Sequence, residues 1–399
     1  MSKTLNADRL TIGKTVWLGL LQILSWGGSF YLLAVLAAPI AQDTGWSREW
    51  VLGAASIGLL AAGLASPLCG RLISRYGGRP VLASSGALMA AGLWMMASAQ
   101  SLPIFLCAWV LTGVGMAAGL YDALFATLGA IYGMKARPMI TGVTLISGFC
   151  TTLIWPLLAI AVHTLGWRGT CWLYGLVLLL GVFPIYRLCL PKQPALARPA
   201  NTHAAGTVSI APKIYWVMTA LFSLSAMLMT AISVIVIVLL QARGHSLAAA
   251  IALSAIIGPA SVACRLIDLL TRDKHPVWTM LISVATTAAG ILILAFVPSL
   301  AAFGLVLYGA GNGLRAIVRS TLPLAIVPVK DYAVISSKMA APVFYCQAIT
   351  PLVCGYLLTL VGAQTTVTLL AVMSAVTVGL GVFLTRLIKI SANKNADHC

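Results

Sequence analysis

The chain has 399 residues, of which 60% are hydrophobic and only 8% are charged. Soluble globular domains carry roughly 25% charged residues, so a soluble protein of this length could not cover its surface with so few. The composition therefore excludes a soluble protein and indicates an integral membrane protein. The net charge of +17 does not indicate a nucleic-acid binder, because no soluble domain remains to present a basic face.

Twelve apolar stretches are each long enough, at roughly 20 residues, to span a bilayer as a helix. The longest polar interruption, residues 191–212, contains four prolines and is predicted to be a flexible cytoplasmic linker. The sequence thus predicts an all-α polytopic membrane protein with an N-terminal six-helix bundle (1–190) and a C-terminal six-helix bundle (213–399). The predicted spans are 16–39, 49–69, 80–100, 103–126, 138–162, 169–188, 213–240, 247–270, 276–297, 299–322, 333–360 and 364–386.

The lysines and arginines indicate the orientation, because cytoplasmic loops of membrane proteins carry an excess of these residues. If the N-terminus is cytoplasmic, all 25 basic residues except Arg48, Arg168 and Arg243 fall on the cytoplasmic side. We therefore expect both termini to be cytoplasmic, in a multi-pass protein of the plasma (bacterial inner) membrane.

The two halves of the chain resemble each other. The segment "RLIS" at 71–74 recurs as "RLID" at 265–268, 194 positions later. Leu111, Gly113 and Gly115 recur as Leu307, Gly309 and Gly311, 196 positions later. This pattern predicts a duplicated six-helix unit. Such repeats are typical of membrane transporters, whose solute site lies near the bilayer midplane between the repeats.

The stretch "GRLISRYGGRP" (70–80) is predicted to form the cytoplasmic turn between the second and third spans. Its spacing, G-x-L-x-x-R-x-G-x-R, resembles the loop signature of the major facilitator superfamily (MFS). With twelve spans and a central linker, the resemblance covers essentially the whole chain. It implies the MFS fold and a loop that helps to switch the protein between its inward-open and outward-open states. The matching residues are Gly70, Leu72, Arg75, Gly77 and Arg79.

The two copies of this loop depart from the family pattern in different ways. Ser74 stands where the family usually has aspartate, and Gly78 where a basic residue is common. The second copy, between the eighth and ninth spans, keeps Arg265 and the acid Asp268 but lacks the glycines. Elsewhere, "GWR" (166–168) and "GVGMAAGLYDALF" (113–125) resemble the branch that includes monocarboxylate porters.

Asp122 lies within the fourth predicted span. A charge in the membrane costs about 2.5–3.5 kcal/mol on insertion scales, so such residues usually have a function. Burial disfavours the charged form of a carboxyl group, so Asp122 could take up and release a coupling proton. The alternative is an acid at the cytoplasmic mouth that pairs with a nearby arginine.

The tenth predicted span carries a polar stripe of Tyr308, Asn312, Arg315 and Arg319, whose spacing places them on one helical face. The family resemblance implies that the first, fourth, seventh and tenth helices line the central cavity. The Arg315 guanidinium could hold a carboxylate or phosphate with two hydrogen bonds. The alternative is a structural ion pair with Asp122. Arg319 is expected to extend to the cytoplasmic surface.

The first span carries weaker candidates. Gln22 and Ser29 share a face of this helix, with Trp26 beside them. With Tyr121, they complete the set of predicted solute contacts. Polar residues at such spacing pack helices together as often as they contact solute.

We predict a secondary active transporter that moves a small organic solute, with an organic anion favoured, by alternating access coupled to protons. Two alternatives remain: an efflux pump for amphipathic compounds, lined by Trp26, Tyr121 and Trp155, and a non-transporting membrane sensor. No enzyme is predicted. An intramembrane aspartyl protease would need a GxGD partner for Tyr121-Asp122, and a serine type would need a membrane histidine, but all five histidines lie in predicted loops or the tail. We expect a monomer whose partners are a small-molecule solute, the lipid bilayer and a coupling proton, with no cofactor, metal or nucleic acid.

Overall fold

A computed structural model describes residues 12–191, 210–271 and 275–396. Residues 192–209 of the predicted linker, and the predicted cytoplasmic basic residues Lys3, Arg9, Lys192, Arg198, Arg272 and Lys274, lie outside the described residues. The described elements are helices, joined by short turns. They are α1 (Ile12–Gly27), α2 (Leu33–Thr44), α3 (Arg48–Tyr76), α4 (Gly78–Ala97), α5 (Leu102–Gly119), α6 (Tyr121–Tyr132), α7 (Arg137–Ser147), α8 (Cys150–Val177), α9 (Phe183–Cys189), α10 (Pro212–Ala242), α11 (Leu247–Ser254), α12 (Ile257–Leu270), α13 (Pro276–Phe296), α14 (Ala301–Ile326) and α15 (Val329–Ala396).

Eight helical stretches among the described residues are long and apolar enough to cross a membrane. Two of them, Leu102–Cys189 with 88 residues and Val329–Ser391 with 63, are far longer than the roughly 20 residues that one crossing requires. The first contains three of the predicted spans and the second contains two. The first predicted span, 16–39, is divided between α1 and α2, which are each too short to be counted alone. The protein is therefore a multi-pass membrane protein, and each of the twelve predicted spans corresponds to helix.

The division between α1 and α2 was not predicted from the sequence. The turn begins at Gly27-Gly28, two residues of low helix propensity. A side chain at either glycine would overlap Tyr174 of α8, whose hydroxyl donates to the Leu24 carbonyl oxygen at 3.0 Å. Because these two glycines have no side chain, α1 and α8 can approach closely.

The second predicted span corresponds to α3, which continues further than its apolar sequence suggested. We predicted a span over 49–69 followed by a basic turn, but α3 continues through Tyr76 and the turn is confined to Gly77. Gly77 has a φ of 81°, a conformation that favours glycine. Arginine is a good helix former, so the helix persists past the end of its apolar segment.

Two other predicted spans are also interrupted. The fourth is broken at Leu120, whose extended backbone separates α5 from α6. The eighth is broken between α11 and α12, four residues before Pro259. Pro259 has no N–H to donate to the Ala255 carbonyl, as a continuous helix would require, which explains the second break.

Contacts between Cα atoms divide the chain into two compact units. Unit 1 contains residues 1–206 and 328–348, and unit 2 contains residues 207–327 and 349–399. The core of unit 2 is formed by aliphatic side chains of α10, α13, α14 and α15, such as Ile235, Leu294 and Leu305. The domain boundaries that we derived from the sequence remain a prediction.

The matched glycines make matched contacts within each unit, which supports the internal repeat. A Cβ at Gly113 of α5 would overlap the Gly58 carbonyl oxygen of α3. A Cβ at Gly309 of α14 would lie 2.7 Å from the Ile257 carbonyl oxygen of α12. In unit 1, therefore, the fourth span of the chain packs backbone to backbone against the second span. In unit 2, the tenth span packs against the eighth in the same way.

We predict that Gly113→Ala and Gly309→Ala each destabilise the protein, because a methyl group at either site forces two helix backbones apart. Overpacking of this kind typically costs about 1–3 kcal/mol. Thermal unfolding of purified protein in detergent would measure the loss as a lower Tm.

The matched control is Gly53→Ala on α3, where no atom lies within 4 Å of the new Cβ. Alanine should raise or preserve the Tm there, because it favours helix over glycine by about 1 kcal/mol. Equal Tm values for all three variants would contradict the proposed backbone contacts.

Candidate functional site

A polar cavity lies within unit 2, against the middle of α14. Three predicted residues of the stripe line it: Tyr308, Asn312 and Arg315. Arg319, one turn further along, does not line it. The remaining lining residues come from α10, α13 and α15: Ser225, Leu228, Met229, Ser283, Val284, Thr287 and Thr377.

Glycines of α14 hold the stripe in place. Gly311 faces α13, where an added Cβ would lie 2.6 Å from the Thr287 backbone nitrogen. Gly313 faces α12, where an added Cβ would collide with Ser261. Because α14 is clamped on these two sides, Arg315 is held at the cavity wall.

Hydrogen bonds determine which groups of the cavity can donate to a solute. The Ser225 hydroxyl donates to the Leu221 carbonyl oxygen at 2.7 Å, and the Ser283 hydroxyl donates to the Gly311 carbonyl oxygen at 2.8 Å. These serines therefore present only lone pairs to a solute. Arg315 Nε donates to Asn312 Oδ1 at 3.0 Å, which orients the guanidinium. The cavity's cationic donor is Arg315.

The charge of the cavity is positive. Among its described lining residues, Arg315 is the charged one. A second cavity adjoins the first and shares Arg315, Ser225, Ser283 and Val284. Its other lining residues are apolar: Leu221, Phe222, Met280 and Val318. Arg315 therefore lies between a polar region and an apolar region.

In unit 1, the predicted residues Gln22 and Trp26 form part of a bonded network. Gln22 is fully buried, and its Nε2 donates to the Gly119 carbonyl oxygen at 2.7 Å and to the Tyr186 hydroxyl at 3.0 Å. Trp26 Nε1 donates to Gln22 Oε1 at 3.2 Å. The Gln22 amide therefore braces α1 against the C-terminal end of α5, where the fourth span is broken.

The aromatic rings near this break are packed together. Trp26 and Tyr121 have ring centroids 5.0 Å apart, and the Tyr121 hydroxyl is hydrogen-bonded to Ser147. Tyr31 and Trp155 continue the cluster, with centroids 6.4 Å apart. The predicted contact Ser29 is fully buried, and its hydroxyl donates to the Ser25 carbonyl oxygen at 2.6 Å.

Asp122 is half-buried in the first turn of α6. The dipole of a helix favours a negative charge at this end. The Asp122 carboxylate also lies close enough to Tyr332 of α15 for the two to interact electrostatically. Because α6 continues to Tyr132, Asp122 precedes the end of its helix by about 15 Å. Whether this position lies at the cytoplasmic mouth or within the span stays a prediction.

The first copy of the loop signature packs against α15 within unit 1. Gly70 of α3 is so close to Ser337 and the Ala333 carbonyl that no larger residue would fit there. Among the other residues of this copy, Leu72 and Arg79 are half-buried, and exposed Arg75 lies over the Tyr76 ring at 5.0 Å. The first copy therefore forms a close helix contact through a glycine.

The second copy forms a buried polar network in unit 2. Arg265 Nε donates to the Gly313 carbonyl oxygen at 3.2 Å. Asp268 Oδ1 accepts a hydrogen bond from the Thr279 hydroxyl at 3.1 Å. Both charged side chains are buried, whereas Arg71, which matches Arg265 in the repeat, is exposed.

Sequence reasoning missed the cavity residues outside α14. These residues belong to three other helices: Ser225 to α10, Ser283 and Thr287 to α13, and Thr377 to α15. Their spacing in the sequence does not distinguish them from the many other hydroxyl residues of this chain. Within the described residues, no group of three or more His, Cys, Asp or Glu could hold a metal ion.

Sequence relatives include monocarboxylate transporters. Monocarboxylate transporter 6 of Mus musculus is 32% identical over 115 residues, which cover 28% of this chain and 24% of the relative. Monocarboxylate transporter 11 of Mus musculus is 35% identical over 141 residues, which cover 35% of this chain and 30% of the relative. The matched regions thus span less than a third of each relative.

Solved structures share the fold across nearly the whole chain. The human organic anion transporter MFSD10 has a TM-score of 0.73 at 17% identity, covering 92% of this chain and 98% of its own. FucP, an MFS transporter in the outward conformation, has a TM-score of 0.74 at 14% identity, covering 94% of this chain and 98% of its own. The proton:xylose symporter XylE has a TM-score of 0.71 at 13% identity, covering 94% of this chain and 96% of its own.

The sequence profile of the Major Facilitator Superfamily matches residues 18–274, well over half of the chain. This match includes both copies of the loop signature and the first eight predicted spans. It agrees with the twelve helical spans, the duplicated packing and the shared fold. The chain therefore belongs to the Major Facilitator Superfamily of membrane transporters.

Proposed function

We propose that this chain is a secondary active transporter that carries a small organic anion by alternating access, coupled to protons. The observation that carries the proposal is Arg315, the charged residue of a cavity otherwise lined by polar and apolar side chains. The names of the sequence relatives, monocarboxylate transporters, and of one structural relative, an organic anion transporter, support the same class of solute.

The position of Arg315 favours a functional role. It lies 14 residues after the start of α14, or about 21 Å along the helix axis, within a membrane-spanning stretch. Charged residues within membrane-spanning helices are rare and usually mark solute or ion pathways. The planar guanidinium matches a carboxylate, with two parallel N–H donors for its two oxygens. Asn312 and Tyr308, one and two turns away, would contact the rest of the solute.

Asp122 is the proposed proton carrier. It is a carboxylic acid on a broken membrane helix of unit 1, held at the N-terminus of α6. Moving one proton with one monovalent anion transfers no net charge, so a proton gradient could drive uptake without working against the membrane potential. XylE, which shares the fold, is named as a proton symporter.

The placement of basic residues supports the proposed membrane location. We infer a multi-pass protein of the plasma (bacterial inner) membrane with cytoplasmic termini, acting as a monomer. Gln22, Trp26, Ser29 and Tyr121 remain predicted solute contacts of unit 1. Gln22 and Ser29 are fully buried, whereas Trp26 and Tyr121 are half-buried, so Trp26 and Tyr121 are the stronger candidates.

A second candidate function rests on the aromatic cluster of Trp26, Tyr31, Tyr121 and Trp155 in unit 1. Such a surface suits flat or amphipathic compounds, as an efflux pump requires. Susceptibility profiling of a deletion strain separates the two functions. An efflux pump protects against toxic compounds, whereas an importer of an organic anion supports growth on that anion.

Replacement of the cavity cation should abolish anion transport. We expect Arg315→Gln to lower uptake of radiolabelled pyruvate, butyrate or benzoate into proteoliposomes at least 10-fold. Loss of a charge-assisted hydrogen bond costs about 1.5–3 kcal/mol, which corresponds to this magnitude. Arg315→Lys should retain only part of the activity, because a lysine cannot form the paired contact.

The matched control is Arg319→Gln, one turn along the same helix and outside the cavity lining. It should keep at least half of the wild-type uptake. If Arg315→Gln transports every probe as fast as Arg319→Gln does, the proposed anion site is wrong.

Replacement of Asp122 should uncouple transport from protons. In Asp122→Asn, we expect an imposed pH gradient to drive no accumulation, because position 122 can no longer carry a proton. Exchange of labelled for unlabelled solute across the vesicle membrane should continue. Asp331→Asn, an acid in the first turn of α15, serves as the control and should remain coupled. Normal gradient-driven accumulation in Asp122→Asn would exclude the proposed role.

A further inference from the structure

The predicted outer side of unit 1 contains a charged cluster that joins three turns. Asp43, near the end of α2, accepts a hydrogen bond from Trp167 Nε1 at 2.9 Å and pairs with Arg168 Nε at 3.5 Å. Arg168 Nη1 donates to the carbonyl oxygens of Ala97 and Ala99, at 2.8 and 2.9 Å, where α4 ends. We name Asp43, Trp167 and Arg168 the unit-1 clasp. Its two charges compensate each other.

Unit 2 contains the corresponding cluster. Gly166 and Gly362 lie 196 positions apart, the interval of the sequence repeat, and share one backbone conformation, with φ of 69° and 76° and ψ of 172°. Gln364 is therefore the counterpart of Arg168. Gln364 Nε2 donates to the Ala295 carbonyl oxygen at 2.7 Å, near the end of α13, as Arg168 does at the end of α4.

Arg243 completes this second cluster from the end of α10. Its Nη2 donates to Gln364 Oε1 at 2.8 Å and contacts the Ala295 carbonyl oxygen at 3.4 Å. We name Arg243 and Gln364 the unit-2 clasp. A cation thus stands near the position that Asp43 occupies in unit 1, and a neutral amide replaces Arg168. The unit-2 clasp carries a positive charge.

The one acid among the described residues of unit 2, Asp268, lies too far away to compensate this charge. The sequence of unit 2 contains three acidic residues: Asp268, Asp273 and Asp397. Asp268 bonds to Thr279, which precedes Ala295 by 16 residues, or about 24 Å along α13. Asp273 and Asp397 lie outside the described residues.

The Arg243 guanidinium has donor groups that no described residue accepts from. Nε and Nη1 of Arg243 are buried, and neither has a hydrogen-bond partner among the described residues. Burial lowers the pKa of the Arg243 guanidinium from its usual value. Buried donors without an acceptor lose their hydration and gain nothing in return. Gln364 is exposed, so a small ligand could reach the clasp from solvent.

We propose that the unit-2 clasp is a binding site for a small carboxylate. The ligand would supply the negative charge that Asp43 supplies in unit 1, and it would accept from Arg243 as Asp43 does from Arg168. A carboxylate fits a guanidinium better than a spherical ion does, because its two oxygens match the spacing of the N–H donors.

This site is separate from the Arg315 cavity. Arg243 follows Met229, a lining residue of that cavity, by 14 residues, or about 21 Å along α10. A carboxylate at the unit-2 clasp would stabilise the junction of the α10 end, the α13 end and the Gly362 turn. The inference does not depend on which solute the cavity carries.

The test is carboxylate-dependent thermal stability, measured in the Arg315→Gln background so that the cavity does not contribute. Purified protein is titrated with sodium acetate and, in parallel, with sodium chloride at the same ionic strength, and the Tm is followed by tryptophan fluorescence. We expect a saturable rise of a few degrees, as for a ligand that binds only the folded state.

Two further variants assign the rise to the clasp. Adding Arg243→Gln removes the cation and should abolish the acetate effect. Adding Gln364→Glu supplies an internal carboxylate, so it should raise the Tm without acetate and remove the response to acetate. Gln364→Glu keeps the test decisive if the Arg243 variant does not fold. Arg48→Gln, which changes another arginine predicted on the outer side, should leave the response intact.

Three results would overturn the proposal. The first is an absence of any acetate effect in the Arg315→Gln background. The second is an undiminished effect after Gln364→Glu. The third is an equal rise with sodium chloride in place of acetate, which would assign the site to halides. None of these results bears on pyruvate, butyrate or benzoate transport, so the two proposals fail separately.

Discussion

The low polarity of the membrane interior is the constraint on which the rest of the structure depends. A polar group there must find its partner within the chain. Most hydroxyl side chains of the spans satisfy this by donating to a carbonyl of their own helix, as Ser66, Thr112 and Thr127 do. Charged groups are the exception: the Arg315 guanidinium bonds to Asn312, three residues earlier, and still lines the cavity with its charge. Charges within membrane spans usually have a function, and we propose anion binding for Arg315 and proton transfer for Asp122.

Duplication explains the shared architecture, and the differences between the halves indicate the specialised chemistry. Arg315 lies 196 positions after Gly119, so the repeat aligns the arginine that we propose to bind the anion with a glycine. In unit 1, that glycine ends α5, and its carbonyl oxygen is held by Gln22. In unit 2, α14 is continuous through Arg315. One half thus has a broken helix with aromatic rings and an acid, and the other has an unbroken helix with a cation.

The sequence predicted the spans, the repeat and the stripe on α14, because each follows from local composition or from spacing along one helix. It did not predict the break at Leu120, since no proline or glycine pair marks that site. Nor did it predict that Ser225, Ser283 and Thr287 meet Arg315, or that Gln364 is the counterpart of Arg168. These features depend on which helices are neighbours, and spacing along a single chain carries little of that information. The 196-residue interval, applied position by position, would have aligned Gly166 with Gly362.

The central claim is that Arg315 holds the anionic group of the solute. Electron cryo-microscopy of the protein with a transported monocarboxylate tests it most directly. The account predicts density for the carboxylate about 3 Å from the Arg315 guanidinium, with the carbon skeleton beside the apolar residues of the adjoining cavity. A solute bound on the aromatic cluster of unit 1, with its carboxylate away from Arg315, would contradict the account.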